Sequence, residues 1–350
     1  MMQENKFYQN AITHKPIEKA YFMLFLLFSL SACLKEDKML PKPQINSVVT
    51  TINDIKKQQV YYNLKDSSIV ATNNITDWDL RFDCDEHFNV WLNSARIMYV
   101  ADAGIKSLND IDNKNGLYFD FDYSTGSRDS NAIKEWGDFS IVNPTSYNHT
   151  YVLFKGQNEN GDSLGFVKFQ LKDFSSNSYI IEFKDLADVT SAPSVLVIPK
   201  NNEYNYTYIS LKDNGSIVNI EPKKTDWDLW FTLYTTYVYN FSDGLFYPYQ
   251  VGGCLINPYQ SEVAFDTTDR FQPIDILEAQ NMTYFKNWDI IGYGWKSFSG
   301  IGSGSGEYTI YTNVTYTLKN YKNEYFKIRF MDYYNTSRQS GYPKFEHQQL

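Results

Sequence analysis

The sequence predicts a mainly β protein made of two tandem β-rich domains that arose by internal duplication. Three observations carry this. Apolar and polar residues alternate with a period of two in several segments, the chain repeats a set of short motifs in the same order, and no long stretch keeps the 3.6-residue apolar period of an amphipathic helix. The composition permits it, since 43% of the 350 residues are hydrophobic and 17% are aromatic. That is enough for one large or two ordinary domains, and too aromatic for a disordered chain. The net charge of −9 argues against a nucleic-acid partner, which needs clustered Lys and Arg against phosphate.

The N-terminal segment reads as an address. Lys15 and Lys19 precede an apolar run from Ala20 to Leu30, about half of the roughly 20 residues that a spanning helix needs. The run ends in Leu30-Ser31-Ala32-Cys33. A positive flank, a short apolar core and small residues at the cleavage point make residues 1–32 a secretory signal peptide. The terminal cysteine makes it resemble the bacterial lipoprotein signal. That resemblance implies that Cys33 becomes the first mature residue and carries the lipid, palmitate included. Residues 33–57 follow as a polar tether with Pro41 and Pro43. Its Lys35-Glu36-Asp37 resembles the surface-export signal of Bacteroidetes lipoproteins, which implies an outer-membrane, lipid-anchored protein at the cell surface. No later segment is apolar enough to cross a membrane.

The body repeats itself. Tyr62-Asn63-Leu64-Lys65-Asp66 leads to Thr76-Asp77-Trp78-Asp79-Leu80-Arg81-Phe82, and Ile209-Ser210-Leu211-Lys212-Asp213 leads to Thr225-Asp226-Trp227-Asp228-Leu229-Trp230-Phe231. Trp136-Gly137-Asp138-Phe139-Ser140 has its counterpart in Trp295-Lys296-Ser297-Phe298-Ser299, and Phe166 to Phe174 in Tyr325 to Tyr333. The order is kept while the offset drifts, as duplication with loop insertions would produce. The expected domains are 58–191 and 203–350, joined near Ala192-Pro193. Within each, Trp78, Leu80 and Phe82, and Trp227, Leu229, Phe231 and Leu233, form one apolar face of a strand. The intervening Asp77, Asp79, Asp226 and Asp228 are expected on the opposite face, solvated or in turn bonds. Asn115-Gly116, Asn160-Gly161 and Asn214-Gly215 mark turns, and Phe271 to Asn281 is the one short helix expected. Cys84 and Cys254 stand alone in different halves, so they are either a disulfide or two buried thiols.

These motifs, in this order and in duplicate, resemble the HmuY family, most closely over Lys327 to Tyr334 and Gly341 to Phe345. The resemblance implies two tandem HmuY-like β domains in a Bacteroidetes envelope lipoprotein, non-enzymatic and hemophore-like, with haem as the default ligand. In haem-binding members a His ligand directly follows the Trp-x-x-Phe-Ser segment. Here that position is Ile141 in the first half and Gly300 in the second, and neither side chain ligates iron. His87 and His149 are the bis-His candidates in the first half, with Met282 and Met331 as distant options in the second; surface histidines and core methionines account for them equally well.

No catalytic residues are assigned, because no nucleophile elbow, zinc-protease motif or phosphate loop is present, and no metal site other than haem iron is expected. The remaining signal is a Tyr-rich stretch around Tyr237, Tyr239, Tyr247 and Tyr249. Such rings give large contact area at low entropic cost, suited to a glycan, a protein or haem, and they equally suit a β core. The alternative to a hemophore is therefore a surface glycan- or protein-binding module on the same fold that does not bind haem.

Overall fold

The computed structural model describes residues 46–139, 144–240, 242–300 and 306–350, and these lie in one compact unit. Cys33 and Ile141 lie outside the described residues. Strands β1 (Val48–Thr51), β2 (Gln58–Asn63) and β3 (Ser68–Asn74) open the chain, followed by β4 (Leu80–Asp83), β5 (Val90–Leu92) and β6 (Tyr99–Asp102). Next come the short β7 (Gly137–Asp138) and β8 (Thr145–Ser146), then β9 (Thr150–Phe154), β10 (Phe166–Phe174), β11 (Ser178–Asp185) and β12 (Ser194–Pro199). The second half holds β13 (Tyr206–Ser210), β14 (Ser216–Val218), β15 (Leu229–Asn240), β16 (Leu245–Ile256) and β17 (Glu262–Asp266). A one-turn helix α1 (Ile276–Ala279) precedes β18 (Lys296–Ser299), β19 (Glu307–Ile310), β20 (Thr315–Lys319), β21 (Tyr325–Tyr334) and β22 (Ser340–Gln349). The fold is mainly β, as the alternation predicts, and α1 falls inside the expected helical stretch. Among the described residues no helix is long and apolar enough to cross a membrane.

The sheets do not follow the expected boundary. Among the described residues all strand pairs are antiparallel, in two five-stranded sheets, β1-β22-β21-β20-β17 and β12-β11-β10-β9-β6, two four-stranded sheets, β14-β13-β4-β5 and β16-β15-β2-β3, and the two-stranded β18-β19 and β7-β8. The hairpin that opens each repeat thus pairs with the Trp-Asp strand of the other. Tyr62 sits opposite Leu229, and Ile209 opposite Leu80. The cores exchange in the same way. Ile52, Ile55, Val60, Tyr62 and Leu64 pack with Phe231, Ile328 and Phe345, whereas Ile198, Ile209 and Leu211 pack with Phe82, Phe169 and Ile181. Separate sheets at 58–191 and 203–350 would strip each core of these side chains, each worth about 1.5–3 kcal/mol when buried.

The repeated acids explain how the exchange is fastened. Asp79 Oδ2 accepts the Leu211 N–H at 2.6 Å, and Asp228 Oδ2 accepts the Leu64 N–H at 2.8 Å. Each carboxylate so closes the turn of the hairpin donated by the other repeat. Asn93 and Asn257 back the arrangement, bonding the carbonyls of Trp78 and Trp227. The expectation of a solvated opposite face therefore fails for Asp79 and Asp228, which are buried because β4 and the base of β15 are covered on both faces. Asp77 does make the expected turn bond, accepting the Asn74 N–H.

Between the two cores lies an aromatic layer in which repeat-equivalent residues meet. The hydroxyls of Tyr61 and Tyr208 are 3.4 Å apart. Trp78 packs edge-on to Tyr208 at 4.8 Å, and Trp227 edge-on to Tyr61 at 5.0 Å. Reciprocal contacts of this kind are the mark of an approximate twofold relation. The repeats differ at Arg81 and Trp230, and these two stack, with the buried guanidinium 5.2 Å from the Trp230 ring and 4.3 Å from Tyr206. Cys84 and Cys254 are buried free thiols.

Candidate functional site

The longest hairpin of the molecule, β15–β16, carries the Tyr-rich stretch. Its base is buried and its outer half is exposed. A long ribbon continues past the sheet only where side chains across it support one another, and here Tyr239 and Phe246 pack at 5.1 Å. The register sets Tyr237 opposite Pro248, Tyr239 opposite Phe246, Val238 opposite Tyr247 and Thr236 opposite Tyr249. Opposed residues share a face and successive residues alternate, so Tyr237 and Tyr239 lie on one face and Tyr247 and Tyr249 on the other. The four tyrosines are close in sequence and do not make a single platform.

Each face has its own neighbours. Tyr237 meets Phe121 at 5.1 Å and Tyr123 at 5.2 Å. Its hydrogen bond with Tyr123, aided by burial, pushes its phenol up to about 12. The ring row continues from Phe121 to Tyr99 and Phe154. On the other face Tyr247 donates to Asp243 at 2.8 Å. Tyr249 is 63% exposed and neighbours Tyr308, whose phenol is raised by burial and then by Tyr249 and Tyr334.

Beside this hairpin stands a shorter one, β18–β19, with the exposed Phe298 against Tyr308 at 5.0 Å. Gly300 follows β18 directly. A Cβ on it would lie 2.6 Å from the Gly306 Cα, so the backbone is drawn together where the resemblance expects a ligand histidine. Residues 301–305 lie outside the described residues.

The candidate histidines are held apart in their surroundings. His87 lies in the turn after β4, where its N–H donates to Asp85 and its carbonyl accepts from Tyr179 and Lys200. His149 precedes β9, with Nδ1 at 2.7 Å from Asp102 and its ring beside Tyr147 and Tyr151. The two share no neighbour among these contacts. The third histidine of the body, His347 on β22, is buried with Nε2 3.0 Å from the Tyr62 hydroxyl, and burial pushes it down to about 4. Among the described residues no three His, Cys, Asp or Glu side chains group as a metal site.

Two β hairpins, one long and aromatic, rise beside a glycine-pinched turn at the position singled out by the sequence. Residues 249–347 match the HmuY protein family. The match begins at Tyr249 and covers β17 to β21 and most of β16 and β22, so the HmuY-like segment holds one side of the long hairpin, all of β18–β19 and the closing strands Lys327 to Phe345. No curated protein sequence matches the chain. Among solved structures the chain is similar to apo PinO from Porphyromonas gingivitis, at 8% identity and a TM-score of 0.27, over 88% of this chain and 97% of that one. It is similar also to the Tannerella forsythia apo HmuY analog, at 10% identity and a TM-score of 0.26, over 88% of this chain and 98% of that one.

Sequence reasoning missed the exchange of hairpins, and with it the aromatic layer and Arg81. The signal available was the one substitution inside the repeated motif, Arg81 for Trp230, and the unrepeated Trp288-Asp289 pair.

Proposed function

We propose that the chain is a non-enzymatic, HmuY-like ligand-binding lipoprotein of the cell envelope, anchored in the outer membrane through a lipid on Cys33, with haem as its default ligand. The observation that carries this reading is the HmuY match over 249–347, a segment that includes β18–β19 and most of β16 but not β15. Absence of catalysis is consistent with the use of the repeated acids, since Asp79 and Asp228 are occupied with backbone N–H groups.

A second reading is a glycan- or protein-binding module on this scaffold. The observation favouring it is the pinched backbone at Gly300, together with the separate surroundings of His87 and His149. Axial ligation of iron needs His, Met, Cys or Tyr directed at the metal. One experiment separates the readings: haem titration of residues 34–350, read by absorbance. A saturable shifted Soret band supports the hemophore, and its loss in a His87→Ala, His149→Ala variant assigns those ligands. A spectrum identical to free haem sinks the first reading and leaves the second. The anchor is tested apart from the ligand, since Cys33→Ala should move the full chain from the membrane fraction to the soluble one.

A further inference from the structure

A pocket of about 570 Å³ opens at one end of the aromatic layer, beside the base of β16, and draws its walls from both repeats. Its rings are the half-buried Tyr204, Tyr259 and Trp288, with the buried Trp91 and Tyr206 behind them. Trp288 is locked in position. It packs on Trp91 at 4.7 Å and Tyr206 at 6.1 Å, and its indole rests against Gly126, where an added Cβ would lie 2.1 Å from the ring. Gly126 also has a φ of +73°, so a residue with a side chain is refused there twice over. Behind the rings the buried Arg81 lies 5.0 Å from Trp288 and 4.3 Å from Tyr206, which holds their far faces. A platform fixed in advance loses little entropy on binding.

Between the rings stand hydrogen-bonding groups, most of them planar. Asp85 and Asp129 offer carboxylates, Asn205 and Gln260 carboxamides, and Arg128 and Lys224 donors. Asn205 is set by the buried Glu221, whose Oε1 accepts from its Nδ2 at 2.5 Å. Asp83, by contrast, is committed to Trp91 Nε1 and Asn89.

The lining excludes most ligand classes. Pro258 is its sole aliphatic residue, so an acyl chain finds nothing to bury against. It holds no His, Met or Cys, and of the side chains that ligate iron it holds only tyrosines. Both charge signs are present, which disfavours a polyanion or a polycation. Rigid rings that take the C–H face of a pyranose, beside planar groups that pair with its hydroxyls, suit sugar.

We propose that this pocket binds a short neutral oligosaccharide. The proposal rests on the second functional reading, to which it gives a site and a ligand class. The test is calorimetric titration of residues 34–350 with cellotriose, maltotriose and chitotriose, against triglucosamine and trigalacturonate as charged controls. Tyr259→Ala and Asp129→Ala are the main variants, because both side chains stand at the rim outside the buried cores, and Trp288→Ala is read alongside with circular dichroism as a folding check. Saturable binding of at least one neutral trisaccharide, weakened about tenfold or more in both rim variants, is the expected result. Binding at full strength in both variants would retain the glycan reading and overturn this site. Binding of the charged controls alone would overturn the ligand class. No binding of any probe would overturn the proposal and the glycan form of the second reading together.

Discussion

Asp79 and Asp228 occupy equivalent places in the two repeats and accept equivalent backbone N–H groups, yet their replacement by Asn should have opposite consequences. Asp79 is ion-paired with Arg96, both side chains almost wholly buried. Asp79→Asn keeps an oxygen for the Leu211 N–H and leaves the guanidinium in the interior without its carboxylate. Breaking a buried pair from one side costs about 3–5 kcal/mol. Among the described residues Asp228 has no buried ion-pair partner, and Lys322 acts on it only as a lesser influence than its burial and the Leu64 and Asn320 hydrogen bonds. Burial raises its carboxyl to about 6, against the stabilising Leu64 N–H. The folded carboxyl thus holds its proton more tightly than the unfolded one. The favourable contribution is present below the ordinary carboxylate range and is lost as pH rises through about 6, a loss of about 3 kcal/mol for a shift of this size. At pH 7.5 Asp228→Asn removes that burden and still accepts the Leu64 N–H, so it should be at least as stable as the wild type. Urea unfolding at pH 7.5, followed by tryptophan fluorescence and near-ultraviolet circular dichroism, measures both. With a slope of about 3 kcal/mol per molar, Asp79→Asn should lower the midpoint by about 1 M or more, and Asp228→Asn should leave it in place or raise it. Equal losses in the two variants, or a greater loss in Asp228→Asn, would refute the reasoning that separates them.

Glu221, raised to about 7 chiefly by burial, should make the wild type lose stability relative to Glu221→Gln as pH rises from 4.5 to 8, by about 3 kcal/mol; parallel pH profiles of the two unfolding midpoints would contradict this. His347, held near 4 by burial, should stay neutral in the folded protein at pH 5.5, and its lost protonation should destabilise the fold as pH falls from 6.5 through 4; an imidazole NMR titration midpoint near 6.5 would count against it. The exchanged hairpins predict that residues 76–220, which retain β4 to β14 and their whole core, resist proteolysis better than residues 58–191, which lack β12 to β14. The reverse order of survival would mean that the exchange contributes little.

The strand character of the body was open to reading because a half-buried strand writes its two faces into alternate residues, as at Leu80 and Phe82 or Leu229 and Phe231. The repeat was legible for the same reason, since the Thr-Asp-Trp-Asp-Leu string is one turn and one strand with a fixed job. What that job is was hidden. An aspartate between apolar residues looks solvated when only one face is thought to be covered, and the cover for Asp79 comes from Leu211, far along the chain. Partner choice between identical strands leaves no mark in local alternation, because β2 would satisfy the same ladder beside β4 or β15. The Tyr-rich stretch was visible as composition, but its division into two faces depends on a hairpin register that places Tyr239 against Phe246. His87 and His149 stand out in the sequence only as the two histidines of the first half, and their engagement with different neighbours shows only in the folded strands around them.

The crossed hairpins also set the order in which the chain assembles. Every strand of the sheets that contain β4 and β10 lies between β4 and β14, a continuous stretch in the middle of the sequence. The opening hairpin has no such local partner. Leu64 waits for Asp228, 164 residues downstream, and β1 waits for the last strand, β22. Closing loops of that length is slow, because the entropy is lost before the contacts reward it. An emerging chain therefore buries its middle first, and the opening strands β1 and β2 are the final pieces to be locked down.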